Sequence, residues 1–322
     1  MRMKNLGIRG WGDYAPEKKE MFFSSSGRQV EVNVANDNET TFTMARLAVC
    51  NAIQNAGLIN EDLENQFLIN CNEAPPDYLF QLPGRMVLDE LKIDKAHSFN
   101  ITQGGNSALF SMYLLGCHLI AGTDNATRGV VCAPSHWRFH SKKRQLGEAV
   151  LTDGAAALII ERGYPRNRIL SIVTSTETSL YNVSYTAVGG SLRPFEEVAC
   201  KSGQFVYSIN DADAYARSQS IAPARTKDVC ERALRDVGAK WEDVTCFVLA
   251  AAFPDLEQRF INLARIPPNR IVRPCLPKAW SCSSSMLFAL SNALSIDTKA
   301  GDLMLATSVG LDGNYAAAVL QR

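Results

Sequence analysis

The chain has 322 residues, with 33 Lys plus Arg against 33 Asp plus Glu, so its formal net charge is zero. The size and a 46% hydrophobic content suit a large-cored globular protein with two sub-domains. The balanced charge argues against nucleic acid, an anionic membrane or a basic protein as partner, and fits self-association weakly.

No apolar run reaches the ~20 residues of a membrane span. The start, Met1 to Arg9, carries charges with no long apolar stretch behind them, so no signal peptide is expected and the protein reads as cytoplasmic. The nine cysteines (Cys50, Cys71, Cys117, Cys132, Cys200, Cys230, Cys246, Cys275, Cys282) are odd in number and form no CxxC pair. Most lie in apolar runs and read as buried thiols of a reducing compartment. His97, His118, His136 and His140 are not at ligand spacing with them, so no metal is expected.

In chain order, Asn5 to Arg9 reads as a short strand, followed by a turn at Gly12 and Pro16. Thr40 to Ala56 has helical periodicity and ends at Gly57. A strand over Gln66 to Asn70, a helix over Pro83 to Leu91 and a strand over Ser98 to Thr102 follow. Asn106 to Ile120 is almost wholly apolar and predicts a buried helix. Strands follow at Gly129–Ala133 and Ala155–Glu161. The scheme then repeats: strand Ile169–Ser175, a polar insertion, helix Ala222–Val237, strand Thr245–Ala250, helix Leu256–Ala264, helix Ser283–Ala293, and strands Leu303–Ser308 and Tyr315–Leu320. Alternating strands and crossover helices require a mainly parallel sheet covered on both sides. The order of elements suggests a duplication, with halves at 1–165 and 166–322.

Four passages carry a resemblance. Phe67-Leu68-Ile69-Asn70 leads to Pro75-Pro76-Asp77-Tyr78; Phe99 to Leu109 contains Thr102-Gln103-Gly104-Gly105-Asn106-Ser107; Asp153-Gly154-Ala155-Ala156-Ala157 follows; and Gly310-Leu311-Asp312-Gly313-Asn314-Tyr315 closes the chain. In order and spacing the sequence resembles ketoacyl synthase III-type condensing enzymes. That resemblance implies a thiolase-like α/β fold with two similar βαβαβαββ halves in five layers, α-β-α-β-α. It also implies a nucleophile elbow before the Asn106 helix and a glycine-rich loop at Gly310 to Gly313.

The family's chemistry requires a cysteine at a helix N-terminus, a histidine and an asparagine. The cysteine position falls on Gly105. The histidine position falls in Ala250-Ala251-Ala252, and all four histidines lie at or before residue 140. The asparagine position falls on Trp280, whose bulk fills space that a substrate would need. The Trp and Arg that clamp coenzyme A in the family have no match between Phe22 and Asn38, where Ser24 to Arg28 reads as a polar loop. Two replacements deserve weighing: Ser107, one half-turn into the helix and without a His base, and Cys282, in the loop that normally supplies the Asn. His136 and His140 flank Trp137 and read as surface or interface residues; Asp153 and Gly154 read as structural. Phe80, Phe110 and Phe253 would narrow the acyl tunnel.

The favoured reading is a catalytically deficient protein of a bacterial fatty-acid, polyketide-type or secondary-metabolite pathway. It would act as a homodimer, or as a heterodimer with a cysteine-bearing ketosynthase paralogue, with an acyl carrier protein as a further candidate partner. The alternative is an acyltransferase with a rearranged site. That site would act on a coenzyme A or phosphopantetheine thioester through backbone donors at Gly104, Gly105 and Asn106 and in the Gly310–Gly313 loop. No resident cofactor is expected in either case.

Overall fold

The computed structural model describes residues 2–71, 73–122, 125–138, 141, 143–201, 205–276, 279–296 and 299–322. The first strand, β1 (Leu6–Tyr14), runs straight through Gly10 and Gly12 rather than turning there. A methyl group on Gly10 would sit 2.5 Å from the Ala52 carbonyl oxygen, and one on Gly12 2.5 Å from that of Ala48. These glycines are spent on letting a helix lie against the strand, not on a turn. The helix is α1 (Thr41–Asn55), opened by a capping box in which Thr40 Oγ1 accepts from Thr43 N–H.

A hairpin, β2 (Lys19–Phe23) with β3 (Gln29–Asn33), precedes α1. Ser24 to Arg28, read as a polar loop, forms the turn between these strands; Val30 and Val32 alternate inward with exposed Gln29 and Glu31. Then come β4 (Phe67–Cys71), α2 (Pro83–Glu90), β5 (His97–Ile101), α3 (Ser107–Ala121), β6 (Arg128–Ser135), a small pair β7 (Gln145–Leu146) and β8 (Ala149–Val150), and β9 (Gly154–Arg162).

The second half has β10 (Arg168–Thr176), β11 (Ser184–Thr186), α4 (Glu197–Lys201), β12 (Tyr207–Ile209), α5 (Ala212–Val237), β13 (Val244–Ala251), α6 (Pro254–Ala264), β14 (Ile271–Val272), α7 (Ser283–Ser295), β15 (Leu303–Val309) and β16 (Asn314–Gln321). Helix α5 begins ten residues earlier than its periodicity suggested. Asp211 caps it by accepting from Ala214 N–H, and the helix tolerates Pro223 in its interior. Proline normally breaks a helix by removing one i→i−4 bond; packing of Ala222, Thr226, Val229, Cys230 and Ala233 against the sheet overrides that local cost.

Ten strands form one sheet in the order β14-β13-β15-β16-β10-β1-β9-β6-β4-β5. Leaving out the small hairpins and α4, each half reads βαβαβαββ, and the sheet order is the same outward from the β1–β10 junction in both directions. The halves touch there through Gly7 opposite Arg168. Three apolar clusters define the layers. Helices α1 and α2 cover one half-sheet, and α5 and α6 cover the other. Between them Leu109, Met112 and Leu115 of α3 pack with Met286, Leu287 and Leu290 of α7. Each such side chain contributes about 2 kcal/mol on burial, so the central pair is held firmly where the site lies.

Of the eight cysteines whose side chains are described, five are buried, whereas Cys275 is exposed, against expectation. His140 and the Cys200 side chain lie outside the described residues. No described helix is long and apolar enough to cross a membrane.

Candidate functional site

The N-termini of α3 and α7 meet at the centre of the fold, and both are tied to the elbow. Ser107 Oγ donates to the Gly104 carbonyl (3.0 Å) and accepts from Gln103 N–H (2.6 Å). Ser283 Oγ, at the start of α7, donates to the same carbonyl (2.9 Å). Both hydroxyl protons are thus committed to backbone, which removes Ser107 as a free nucleophile.

Gly105 occupies the elbow. An ideal Cβ there would lie 2.7 Å from Cζ2 of Trp280. The indole therefore fills the space where a cysteine side chain would stand. Trp280 is itself pinned: its N–H donates to the Val150 carbonyl (2.8 Å), and its own carbonyl accepts from Thr152 N–H (3.1 Å). The loss at Gly105 and the gain at Trp280 are two sides of one packing contact.

The backbone donor is taken as well. Gly105 N–H donates to Asp312 Oδ2 (2.6 Å), and Asn314 N–H donates to Asp312 Oδ1 (2.9 Å). A carboxylate of the glycine-rich loop holds the amide that the rearranged-site reading assigned to a thioester oxygen. Gly104, with φ of +55°, lies so close to Asp312 that a methyl group would sit 2.7 Å from its Cβ. Asn106 opens α3 and its Nδ2 donates to the Asn314 carbonyl (2.5 Å). Gly310 lies against Asp312, and Gly313, with φ of +75°, lies under the Glu177 carbonyl. At the histidine position Ala250 is buried and pairs with Ser308, while Ala251 ends β13 opposite Val309.

Two carboxyl groups found only in the structure dominate the electrostatics. Burial pushes the Asp312 carboxyl up to about 6, with the Gly105 and Asn314 amides opposing. Glu73 follows β4, and part of its stem reaches the surface, but both its carboxylate oxygens are buried. Burial raises its pKa to about 8, so it is protonated at neutral pH. The Ser107 and Ser283 hydroxyls lie beside it, yet neither Glu73 oxygen has a well-aligned partner among the described residues, because both hydroxyls point at Gly104. The Asn106 Oδ1 and Trp280 Nε1 atoms are also buried without a partner. The sequence signal for these acids was slight: a charge just past a buried strand, and an Asp inside a glycine-rich loop.

Cys282 sits at the start of α7 with φ of +52° and ψ of −126°, a region that favours glycine. Its thiol is buried, and burial together with Glu73 and Asp312 pushes its pKa well up. Burial of this kind disfavours the thiolate that nucleophilic attack requires.

Asp153 has a different role. Arg144 grips it with two hydrogen bonds (2.7 and 2.6 Å), and Trp137 and Ala35 N–H groups complete its shell (2.8 Å each). His136, beside it, is half-buried, and burial lowers its pKa.

A crevice of about 390 Å³ lies along the segment where the resemblance places coenzyme A, with Lys18, Phe22, Arg138 and Arg144 on its walls. Each cation already faces a carboxylate: Lys18 faces Glu20, Arg138 faces Asp37 and Arg144 faces Asp153. The donor set does not fit a group carrying several phosphates. A second cavity of about 440 Å³ is lined by Ala251, Phe253 and Ala279. Phe80 is 99% exposed and narrows no tunnel within this chain. Among the described residues, no cluster of three His, Cys, Asp or Glu side chains is placed to hold a metal.

The fold is that of ketoacyl synthase III-type condensing enzymes. The chain superimposes on the 3-oxoacyl-[acyl-carrier-protein] synthase III of Aquifex aeolicus VF5 with a TM-score of 0.82 at 20% identity, over 98% of this chain and 100% of that one. OleA of Xanthomonas campestris matches with a TM-score of 0.80 at 16% identity, over the whole of both chains. The priming β-ketosynthase of the R1128 polyketide pathway matches with a TM-score of 0.79 at 15% identity, over 99% and 97%. No protein-family model and no curated sequence matches the chain, so the likeness is one of fold.

Proposed function

We propose that this chain is a non-condensing protein of a fatty-acid or polyketide-type system, working as a supporting subunit beside a cysteine-bearing synthase. One observation carries the reading: Trp280 fills the nucleophile space at Gly105 while Asp312 holds the Gly105 amide. A thioester carbonyl would find neither an attacking atom nor this donor. The structural neighbours, among them a 3-oxoacyl-[acyl-carrier-protein] synthase III and a polyketide priming ketosynthase, supply the acyl-chain context.

The partner reading draws support from the surface. Strand β5 is an outer strand of the sheet, and Phe99 on it is 38% exposed. Tyr78, Leu79 and Phe80, in the loop between β4 and α2, are also exposed. An unprotected sheet edge together with exposed apolar side chains is a pairing surface. A cytoplasmic homodimer, or a heterodimer with a paralogue, would cover it.

The competing reading, acyl transfer through a rearranged site, is favoured by the two buried acids, since strongly perturbed carboxyl groups gather at catalytic sites. One experiment divides the two. The purified chain is incubated with acyl-coenzyme A and acyl-carrier-protein thioesters, and intact mass and free thiol are recorded. The subunit reading expects no adduct and no thiol release, and either signal sinks it. Co-expression with a cysteine-bearing paralogue should yield a mixed dimer whose activity depends on this chain; a homodimer that leaves the paralogue unchanged refutes the partnership.

A further inference from the structure

At the end of β13 away from the elbow lies a crevice of about 720 Å³, within the size range of small-molecule sites. Its floor is the Trp241 indole stacked on Phe247, with ring centroids 5.8 Å apart and planes 16° from parallel. Around that floor stand Lys227 of α5, Arg265 after α6 and Arg270 before β14, against the single carboxylate of Glu242.

Of the three cations, Arg265 alone has no acceptor among the described residues. Trp241 Nε1 is buried and donates to nothing among the described residues. Arg270 spends one N–H on the Val244 carbonyl (3.0 Å). Lys227 is paired with Glu231. The Arg265 guanidinium has no ion pair or hydrogen bond to a described residue. The carbonyls at the end of α6, which would repel an anion, are already closed: Arg265 N–H donates to Asn262 (3.3 Å) and Ile266 N–H to Ile261 (3.0 Å). A flat aromatic floor ringed by cations offers stacking and charge together.

We propose that this crevice binds a small molecule that joins a flat ring to a phosphate group, with the ring on Trp241 and the phosphate beside Arg265 and Lys227. The site is separate from the emptied elbow and stands whether or not the subunit reading does.

The chain has only four tryptophans, so the indole N–H signals of a 15N-labelled sample resolve the site directly, with Trp241→Phe assigning its peak. The probes are adenosine monophosphate, adenosine and inorganic phosphate. The monophosphate should shift the Trp241 signal saturably, and adenosine or phosphate alone should bind at least about 10-fold more weakly, since each forgoes one set of contacts. Arg265→Gln, at an exposed position, should weaken the monophosphate by about 10-fold while leaving the other three indole signals in place. The proposal is overturned by no shift up to about 10 mM, where even a site with a Kd near 1 mM is mostly filled. Binding of adenosine as tight as that of the monophosphate, or affinity unchanged in both Arg265→Gln and Lys227→Gln, overturns it equally.

Discussion

Asp153 is wholly buried and Asp312 partly so, and their surroundings differ in kind. Asp153 is met by a bidentate Arg144 and two backbone N–H groups. Asp312 has no ion pair with a described cation, accepts from two backbone amides and lies near a second carboxyl with buried oxygens, Glu73. The first is scaffold: its charge is matched, and removing either partner exposes the cost. The second belongs to a site where polar groups remain under-satisfied, from Glu73 to Asn106 and Trp280. A fold tolerates such a region only where something other than stability has placed it.

The strongest way to break this contrast is Arg144→Met. It leaves Asp153 buried without its cation and should cost about 3–5 kcal/mol in urea unfolding. A loss below about 1 kcal/mol would show that Asp153 is no better matched than Asp312.

The pH dependence of stability comes next. Glu73 and Asp312 have raised folded-state pKa values, so the native chain keeps protons that the unfolded chain has released. Their contribution is complete below the ordinary carboxylate range and is lost as pH rises through about 6 for Asp312 and about 8 for Glu73. Urea midpoints should therefore fall from pH 5 to 8.5, and Glu73→Gln should remove on the order of 3 kcal/mol of that fall. An unchanged profile in Glu73→Gln means that the carboxyl is not buried as described.

Smaller still is the effect of refilling the elbow. Gly105→Cys forces a side chain against Trp280 and should cost about 1–3 kcal/mol. Trp280→Asn in the same chain should recover part of that cost, with a coupling of about 1 kcal/mol or more in a double-mutant cycle. Strictly additive effects would separate two residues that we treat as one contact. Smallest is Cys282→Gly. Relief of the positive φ should offset the lost side chain and leave stability within about 1 kcal/mol of the parent. A loss above about 2 kcal/mol would assign the loop's geometry to the packing of the thiol instead.

Much of the architecture was legible because periodicity is local. The buried α3, the Gly57 terminus and the alternation of strands with helices follow from side chains that must face one core. The ten missed residues of α5 mix Ala212, Ala214, Tyr215, Ala216 and Ile221 with polar residues ahead of Pro223, a weak local helix signal; packing against the sheet decided it. Gly12 was read as a turn residue because sequence cannot distinguish a glycine that bends from one that admits a neighbour.

The sequence by itself determined the absences: no cysteine at Gly105, no histidine after residue 140 and a tryptophan at 280. Residue identities suffice for that. Only the tertiary structure decided how the vacated space is used. Trp280 meets Gly105 across 175 positions of chain, Asp312 reaches the Gly105 amide from 207 residues away, and Glu73 comes to rest beside Ser107 and Ser283. Contacts between such distant residues depend on how the two halves close around α3 and α7, which no local pattern encodes.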